Sequence, residues 1–243
     1  MQKEETTWFS AWFNTPYYHT LYKHRDDKEA AQFMQKLTSF LALPKGASIL
    51  DLACGKGRHA IFLNSLGYTV TGIDLAAESI EFANRFKNKT LDFRVHDMRL
   101  FFDEKFDAVF NLFTSFGYFE TQKENLDTIR SIKNSLTPNG YAVIDFLNSN
   151  YVIQNLVPEE TKTIDGITFY IKRFLDNNFI CKDIRFTDNG EEYHFTERVR
   201  ALQKSDFIQY FDKTNCNLLH TFGDYDLSEY DVNTSKRLIL IFK

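Results

Sequence analysis

Residues 49–59 carry the most informative motif of the sequence, Ile49-Leu50-Asp51-Leu52-Ala53-Cys54-Gly55-Lys56-Gly57-Arg58-His59. In it, an apolar strand runs into a glycine turn, and the turn opens a helix over residues 58–66. Glycine lets the backbone come close to a ligand, and the first N–H groups of a helix have no intrahelical acceptor. The pattern predicts a ligand-binding strand–turn–helix unit, although a tight turn without a ligand explains a lone Gly-x-Gly equally well.

Strands and helices alternate along the chain on both sides of this turn. Apolar runs predict strands over residues 48–52, 69–73, 91–95, 106–113 and 141–146. Helices are predicted over residues 28–41, 58–66, 77–87 and 122–136. Alternation at this spacing predicts a Rossmann-like, doubly wound α/β fold, in which helices cover both faces of a parallel sheet.

The periodicity changes after residue 150. Strand-like runs over 167–175, 179–187 and 192–200 are separated by Asp176-Asn177-Asn178 and Asp188-Asn189-Gly190. Turns of this composition between alternating segments predict hairpins, and therefore an antiparallel β meander inserted between elements of the parallel sheet.

The closing elements complete the predicted architecture. A helix is expected to begin near Ser205 as its N-cap, and strands over 218–222 and 237–242 form an antiparallel pair that completes a seven-stranded sheet. The predicted organisation is an N-terminal helical lid over residues 1–45, a cofactor-binding α/β domain over 46–150 and 201–243, and a β insertion over the active site at 151–200.

Composition limits the classes of function. The 243 residues carry a net charge of −4, and no run of five or more Lys or Arg offers the basic footprint that a nucleic acid requires. Apolar stretches such as 238–242 reach only strand length, so no membrane span is expected. Cys54, Cys181 and Cys216 lie far apart without a CxxC motif, which predicts neither a disulfide framework nor a metal site. The N-terminus is too polar for a secretory signal, and we expect a cytoplasmic monomer or homodimer.

Three acids follow three successive predicted strands. Asp51 ends the first strand, Asp74 ends the second, 19 residues beyond Gly55, and Asp97 follows the third. The carboxyl ends of parallel strands meet at the edge of a sheet where ligands bind. There Asp74 is suited to accept both hydroxyls of a ribose, and Asp97 is suited to hold an adenine amino group while Met98 packs on the ring.

Residues 55–60 also fit the G-x-G-x-x-A fingerprint of dinucleotide-binding proteins, with Asp74 as its acid. Asp51 argues against a dinucleotide because it would repel a pyrophosphate at the glycine turn. S-adenosylmethionine instead presents an ammonium and a sulfonium there, which a carboxylate attracts. An NAD-dependent oxidoreductase is therefore kept only as an alternative.

The motif Asp51-Leu-Ala-Cys-Gly-Lys-Gly-Arg-His, followed by Gly72-Ile-Asp74, resembles the cofactor signature of class I S-adenosylmethionine-dependent methyltransferases. The resemblance continues through Phe106-Asp-Ala-Val-Phe-Asn111, Leu136-Thr-Pro-Asn-Gly140 and Ser235-Lys-Arg-Leu-Ile-Leu. It is specific for the class and not for the substrate. Within the class, the Tyr17-Tyr18-x-x-Leu21-Tyr22 opening and the meander are similar to small-molecule N-methyltransferases of the amino-sugar and glycine/sarcosine kind.

The resemblance implies a set of cofactor contacts. It places the methionyl part of S-adenosylmethionine against Asp51, Gly55 and Gly57, the ribose against Asp74 and Leu75, the adenine against Asp97 and Met98, and the sulfonium above Asn111 and Leu112. Tyr22 is expected to close on the cofactor as a lid residue. Ala53, also expected at the cofactor, departs from the pattern because many members carry glycine there.

The residues predicted to bind the methyl acceptor lie near the same edge of the sheet. Candidate acceptor-facing residues are Tyr18, Phe116, Tyr118, Asp145 and Asn148. Candidate bases are His19, His24 and His59. For all of them, plain packing, loop or surface roles are alternatives. In-line transfer to an amine needs mainly positioning and loss of a proton, so no catalytic residue is assigned.

The aromatic opening is predicted to roof the active site. It contains Trp8, Phe9, Trp12, Phe13, Tyr17, Tyr18 and Tyr22 without a clean helical or strand period. Rings of this size need a surface to pack on, and the carboxyl edge of the sheet is the concave surface that the fold offers. The expected function is methylation of a small molecule at nitrogen. A non-catalytic cofactor-binding protein on the same fold is the alternative from another functional class.

Overall fold

The computed structural model describes residues 8–23 and 27–243. The helices within these residues are α1 (Trp8–Phe13), α2 (Pro16–Leu21), α3 (Asp27–Phe40), α4 (Arg58–Ser65), α5 (Ala77–Ala83), α6 (Gln122–Asn134), α7 (Ser149–Gln154) and α8 (Lys204–Thr214). The strands are β1 (Ser48–Leu52), β2 (Thr69–Asp74), β3 (Leu91–Val95), β4 (Phe106–Asn111), β5 (Leu136–Leu147), β6 (Glu159–Ile164), β7 (Ile167–Asp176), β8 (Phe179–Asp188), β9 (Glu191–Arg200), β10 (Leu218–Phe222) and β11 (Arg237–Phe242). A 3₁₀ turn, Asn84–Phe86, follows α5.

Seven strands form a sheet in the order β10-β11-β5-β4-β1-β2-β3. β1 pairs in parallel with β2 and β4, and the parallel pairs β2–β3 and β4–β5 extend the sheet on both sides. β11 runs antiparallel to both β5 and β10, so it alone opposes the direction of the other strands in this sheet of the described chain. The strand order reverses between β1 and β4, and open α/β sheets bind ligands at the carboxyl ends beside such a reversal.

Apolar side chains cover both faces of the seven-stranded sheet. On one face, Leu37 of α3 is buried in the same cluster as Ile49. On the other face, Ile129 of α6 is buried in the same cluster as Leu50. Ile49 and Leu50 are neighbours on β1, and successive side chains of a strand point to opposite faces. Both faces of β1 are therefore buried, which explains its continuous apolar run, and the predicted doubly wound α/β fold is confirmed.

The predicted meander forms a separate antiparallel sheet in the order β6-β7-β8-β9. Its buried Phe169 lies in one apolar cluster with Trp12 of α1 and Leu21 of α2. The hydroxyl of Tyr17 also donates to Oδ2 of Asp188 at 2.9 Å, at the end of β8. The two N-terminal helices therefore pack on this second sheet.

Local structure differs from the sequence-based expectation at three places. The fifth strand, expected over 141–146, is β5 and already begins at Leu136, and a shift in the β4–β5 register between Phe106 and Ala108 makes residues 138–140 a bulge within it. β6 is an additional strand that its polar sequence does not predict. α8 begins at Lys204 with Gln203 as N-cap in place of Ser205, and Oδ2 of Asp206 accepts the N–H of Gln203 at 2.8 Å.

The aromatic opening is more regular than its sequence predicts. Thr15 caps α2, because its Oγ1 atom accepts the N–H of Tyr18 at 3.1 Å, and Pro16 occupies the first turn. Both features favour a helix start. None of the helices in the described part of the chain has the length and hydropathy needed to cross a bilayer.

Candidate functional site

The glycine turn between β1 and α4 adopts backbone conformations that few side chains tolerate. Gly57 has a φ of +83°, and a Cβ atom there would lie 2.6 Å from Cε1 of Phe93. Ala53 has a φ of +62° although it carries a side chain, and this left-handed conformation is strained. The turn thus curves tightly at the carboxyl end of β1, and Ala53 adopts at a cost what glycine adopts freely.

Asp51 lies near the end of β1 and is 2% exposed. Its Oδ2 atom has no hydrogen-bond partner within residues 8–23 and 27–243. Burial, assisted by the charge of Asp74, raises the pKa of the Asp51 carboxyl to about 7. A buried carboxylate is costly unless a cation pairs with it. Asp51 is therefore suited to bind a positively charged group.

Asp74 ends β2 and joins two turns of the site. Its Oδ2 atom accepts the N–H of Gly55 at 2.8 Å, and its Oδ1 atom accepts the N–H of Ala76 at 2.8 Å. Burial raises the pKa of Asp74, and these backbone N–H groups partly offset the effect. A carboxylate offers about four lone-pair directions, so Asp74 keeps capacity for a further hydrogen bond from a ligand.

A cavity at the carboxyl edge of the sheet, here named the first cavity, brings together six of the residues predicted to bind the cofactor. These are Ala53, Gly55, Asp74, Leu75, Asp97 and Met98. The N-terminal helices contribute Phe9, Phe13, Tyr18 and His19. The remaining lining residues are Ala76, Ser79, His96, Arg99, Ser115, Tyr118 and Phe119. Residues of α1 and α2 therefore form part of the wall.

Asp97 is held by Arg99 at the first cavity. The Nε atom of Arg99 lies 3.0 Å from each carboxylate oxygen, and its Nη2 atom lies 2.6 Å from Oδ2. Burial acts to raise the pKa of Asp97, but the hydrogen bonds and charge of Arg99 outweigh it and lower the pKa. Asp97 is therefore a fixed, ionised acceptor, and its contact with an adenine stays a prediction.

Four of the predicted cofactor residues lie near the first cavity without lining it in the described chain: Asp51, Gly57, Asn111 and Leu112. Asn111 is 0% exposed, and its Nδ2 atom donates to the carbonyl oxygen of Leu52 at 2.9 Å. Its Oδ1 atom has no partner among the described residues. Leu112 is buried in the apolar core. Asn111 therefore adds a second unpartnered oxygen at the ends of β1 and β4.

A second cavity of about 320 Å³ adjoins the first, because Tyr118 lines both. The other lining residues of this second cavity are Glu29, Arg58, Phe113, Thr114, Leu147, Glu197, Val199, Tyr225 and Arg237. Small-molecule sites begin at about this volume. Two acids and two arginines stand among the lining residues, so the second cavity suits a small polar molecule.

Asp145 is 0% exposed and hydrogen-bonds residues that line the second cavity. Its Oδ1 atom accepts Nε–H of Arg237 at 2.8 Å, and its Oδ2 atom accepts the N–H of Phe113 at 2.8 Å. Nη2 of Arg237 donates to Oγ1 of Thr114 at 2.8 Å. Phe113 and Thr114 have φ values of +59° and +63°, which are strained for residues with side chains. Asp145 thus fixes lining residues and does not itself line either cavity of the described chain.

Tyr22 lies at the end of α2, outside the set of residues that lines the first cavity. Its hydroxyl donates to Oε1 of Glu197 at 2.7 Å and is also hydrogen-bonded by Nζ of Lys182. Nε1 of Trp12 donates to the same Oε1 atom at 2.7 Å. The structure therefore connects Tyr22 to a residue of the second cavity, and its contact with a cofactor stays a prediction.

Two of the predicted acceptor residues lie away from both cavities of the described chain. Phe116 is fully buried, with its ring centroid 5.3 Å from that of Phe207. Nδ2 of Asn148 donates to the carbonyl oxygens of Val232 and Ser235, at 3.0 and 2.7 Å. Phe116 therefore serves packing and Asn148 fixes the loop before β11, whereas Tyr18 and Tyr118 do line cavities.

The three candidate bases lie in different places. His19 lines the first cavity. His59 stacks on Phe113 with ring centroids 4.5 Å apart, and its Nε2 atom lies 2.9 Å from Nη2 of Arg58. His24 lies outside the described residues.

Glu197, Tyr225 and Arg237 line the second cavity although the sequence predicts no site role for them; Arg237 lies in the quoted stretch 235–240. A signal exists for Glu197, because Phe195, Glu197 and Val199 share one face of β9 by the two-residue period of a strand. An acidic side chain on an otherwise apolar face of a strand is unusual. Arg237 offers no such signal, since a charged residue commonly begins an apolar strand.

Comparison with known proteins shows which family and which relatives the chain resembles. A family model described as a methyltransferase domain matches residues 22–221. YqeM of Bacillus subtilis (strain 168) is 36% identical over 161 residues, which cover 63% of this chain and 65% of that protein. A dTDP-3-amino-3,6-dideoxy-alpha-D-glucopyranose N,N-dimethyltransferase of Streptomyces fradiae is 31% identical over 123 residues, or 50% of this chain and 46% of that protein. The alignments thus span about half to two thirds of these relatives.

The fold agrees with solved structures. The crystal structure of an S-adenosylmethionine-dependent methyltransferase from Clostridium acetobutylicum ATCC 824 superposes on this chain with a TM-score of 0.79 at 19% identity. The superposition covers 93% of this chain and 95% of the other. The predicted resemblance to S-adenosylmethionine-dependent methyltransferases is confirmed by the family match and the shared fold. With its glycine turn, its strand-end acids and a family match over most of its length, the chain belongs to the methyltransferase-domain family.

Proposed function

We propose that the protein is an S-adenosylmethionine-dependent methyltransferase that methylates a nitrogen atom of a small molecule. The observation that carries the proposal is the buried Asp51 carboxyl, whose Oδ2 atom has no partner within the described residues. The methionyl part of the cofactor carries an ammonium group, which fits such an oxygen. A dinucleotide would bring a pyrophosphate to the same turn, where Asp51 repels it.

The lining residues of the first cavity fit the adenosyl part of the cofactor. Asp74 would accept hydrogen bonds from the ribose hydroxyls with the lone-pair capacity that Gly55 and Ala76 leave unused, with Leu75 beside the ribose. Asp97 would accept the adenine amino group while Met98 packs on the ring.

The remaining cofactor residues fit the methionyl and sulfonium parts. Gly55 and Gly57 would let the backbone approach the methionyl chain, with Ala53 in the same turn. Asn111 and Leu112 would lie beneath the sulfonium, where the partial negative charge of the Oδ1 atom of Asn111 favours a cation.

Catalysis by this arrangement consists mainly of positioning. When bound, the cofactor supplies a methyl group that its sulfonium already activates. The chain has to hold the acceptor in line with that group and exclude water, and well-oriented reactions gain about 7–11 kcal/mol in this way. The second cavity is the place for the acceptor because it adjoins the first at Tyr118.

Nitrogen is favoured as the methylated atom by two different observations. The aligned Streptomyces fradiae relative is named as an N,N-dimethyltransferase of an amino sugar. The second cavity also carries acidic side chains, Glu29 and Glu197, which attract an ammonium group. The bound ammonium must lose one proton, to a carboxylate or to water, before its nitrogen can attack the methyl carbon as a neutral amine. A hydroxyl acceptor would instead require a dedicated general base.

We also propose that residues 1–45 form a lid, that 46–150 and 201–243 form the cofactor-binding domain, and that 151–200 cover the active site. Support comes from the cavity walls, since α1 and α2 contribute Phe13 and Tyr18 to the first cavity.

Calorimetry and a transfer assay test the proposed function together. S-adenosylhomocysteine should bind and NAD should not, and Asp51→Asn should weaken binding whereas the exposed control Asp103→Asn should not. Methyl-labelled S-adenosylmethionine should then label an amine from a panel of amines, phenols and carboxylic acids. Binding without transfer to any class favours the non-catalytic alternative, and tighter binding of NAD refutes the proposal.

A further inference from the structure

We propose that Glu197 is the specificity-determining residue of the second cavity and that its carboxylate binds the ammonium group of the methyl acceptor. The inference rests on the proposed methyltransferase function. It extends that proposal by assigning recognition of the acceptor to one residue of the inserted sheet.

The position of Glu197 is the first argument. Its side chain is 16% exposed, and it lines a cavity that meets the predicted cofactor site at Tyr118. It stands on the face of β9 that carries Phe195 and Val199, where an apolar residue is expected. Taking a carboxylate out of water on an apolar face is costly unless it binds something there.

The hydrogen bonds of Glu197 leave room for a ligand. Oε1 accepts Nε1–H of Trp12 at 2.7 Å and the hydroxyl of Tyr22 at 2.7 Å, and Oε2 lies 2.9 Å from the same hydroxyl. A carboxylate offers about four lone-pair directions. Trp12 and Tyr22 thus fix the orientation of Glu197, while Oε2 keeps capacity for an ammonium N–H.

The guanidinium of Arg237 does not neutralise Glu197, although both line the second cavity. The lining residues of this cavity include two acids, Glu29 and Glu197, and two bases, Arg58 and Arg237. The charge of Arg237 is compensated within the wall, since its Nη2 atom lies 2.7 Å from Oδ1 of the buried Asp145. Arg237 therefore does not compete with a ligand for the carboxylate of Glu197.

Lys182 is the nearest competitor for Glu197. It lies directly opposite Glu197 in the β8–β9 ladder, with Nζ 3.8 Å from Oε2, and it is not among the residues that line the second cavity. A separation of 3.8 Å is an ion pair without a direct hydrogen bond. Lys182 therefore reduces the attraction of Glu197 for a ligand without occupying Oε2, and removing its charge should strengthen amine binding.

A purely structural role of Glu197, as a tether for α1 and α2, predicts a different outcome. The substitution Glu197→Gln separates the two roles, because the carbonyl oxygen of glutamine still accepts hydrogen bonds from Trp12 and Tyr22 but carries no charge. A tether tolerates this substitution, whereas an ammonium-binding residue does not.

The indole N–H of Trp12 provides a direct readout of the test. It donates to Glu197, and the chain has only two Trp residues, so its ¹H–¹⁵N signal can be assigned with Trp12→Phe. The protein saturated with S-adenosylhomocysteine is titrated with ethylammonium chloride, and separately with sodium chloride and sodium acetate at matched ionic strength. We expect a saturable shift with ethylammonium only.

Variants complete the test. Glu197→Gln should weaken the apparent affinity for ethylammonium by roughly tenfold or more, as for loss of a hydrogen bond to a charged group. The exposed control on the same strand, Glu192→Gln, should leave it unchanged, and Lys182→Gln should strengthen it. All three variants should retain binding of S-adenosylhomocysteine by calorimetry.

The outcomes distinguish the inference from the function on which it rests. Failure of the wild-type protein to bind S-adenosylhomocysteine overturns the proposed function. Normal binding of that ligand together with an equal response to ethylammonium and sodium, or with an unaltered ethylammonium response in Glu197→Gln, overturns the inference alone and leaves Glu197 as a tether.

Discussion

Nη2 of Arg237 lies 2.7 Å from Oδ1 of Asp145 and joins the first residue of β11 to the interior of β5. The register places Asp145 opposite Ile239, so the ion pair crosses the two antiparallel strands diagonally. Oδ2 of Asp145 also accepts the N–H of Phe113 in the loop after β4. Three segments that are distant in sequence therefore meet at one buried ion pair beside the second cavity.

Breaking this pair from one side should be costly. Asp145→Ala should lower the free energy of unfolding by about 3–5 kcal/mol, because it leaves the mostly buried guanidinium of Arg237 without its partner. The double variant Asp145→Ala/Arg237→Met should lose less free energy of unfolding than the sum of the losses in the two single variants. Urea unfolding measures both. The control Asp127→Ala removes solvent-facing pairs with Lys123 and Arg130 and should cost less than about 1 kcal/mol. Strictly additive costs would show that the pair is not coupled.

Asp51→Asn should stabilise the ligand-free protein. The pKa of Asp51 is raised to about 7 in the folded protein, against about 3.9 in an unfolded chain. Ionisation of this buried group therefore opposes folding, with a penalty that is absent below about pH 4, grows up to about pH 7 and is constant above it. The substitution should add roughly 2–4 kcal/mol to the free energy of unfolding at about pH 8 and little at about pH 4. An equal gain at both pH values contradicts this account.

Binding of S-adenosylhomocysteine should strengthen as the pH rises toward about 7. Below that pH Asp51 is mostly protonated and cannot pair with the ammonium of the ligand, so the affinity should fall about tenfold for each pH unit. Above it the affinity should level off. Calorimetry in buffers of different ionisation enthalpy should detect proton release on binding near pH ~6. Asp51→Asn should remove the pH dependence, and a flat profile for the wild-type protein would exclude Asp51 as the partner of the ammonium.

The sequence predicts the glycine turn and the strand-end acids of the first cavity because the evidence for them is local. The glycine turn is one contiguous stretch, and each strand-end acid follows an apolar run that identifies its strand. The same logic fails at β6, since Glu159–Ile164 is too polar to read as a strand. The Asp165-Gly166 dipeptide that follows β6 is typical of a two-residue hairpin turn, and both residues have positive φ. This signal alone does not predict a strand before the turn, because the residues of β6 show no apolar alternation.

The second cavity could not be predicted in the same way. Glu197 belongs to the inserted sheet and Arg237 to the last strand, and no local pattern connects them. Only the packing of the β6–β9 sheet and the N-terminal helices against the cofactor-binding domain brings these side chains to one cavity. Phe116 and Asn148 follow β4 and β5 in sequence, but the ring of Phe116 packs on Phe207 in the core and Asn148 binds the loop before β11.

Ala53→Gly should stabilise the protein slightly. A side chain in the left-handed conformation destabilises the folded protein by roughly 1–2 kcal/mol, and the substitution removes this strain. The greater conformational freedom of glycine in the unfolded chain opposes this gain by about 0.4–1 kcal/mol. The expected net gain is therefore between about 0 and about 1.6 kcal/mol by urea unfolding. The control Ala77→Gly, at the exposed first residue of α5, should instead destabilise by up to about 1 kcal/mol. Equal losses in the two variants would show that Ala53 carries no strain.

The N-terminal helices should gain protection from hydrogen exchange when S-adenosylhomocysteine binds. Phe13 and Tyr18 line the first cavity, so a ligand there contacts α1 and α2. The same helices are attached to the second sheet, where Trp12 donates to Glu197. The lid should therefore move together with β9, as lids that admit a ligand must open.

The measurement compares two strands of one sheet. Exchange should slow at the backbone amides of residues 17–22 and of Glu191–Arg200, while Glu159–Ile164, the strand at the opposite edge of the same sheet, should exchange at an unchanged rate. Protection of residues 17–22 without β9 would mean that the helices move alone over a fixed sheet. Unchanged exchange at residues 17–22 would mean that α2 is a permanent packing element, because closure over a ligand must reduce the local opening through which these amides exchange.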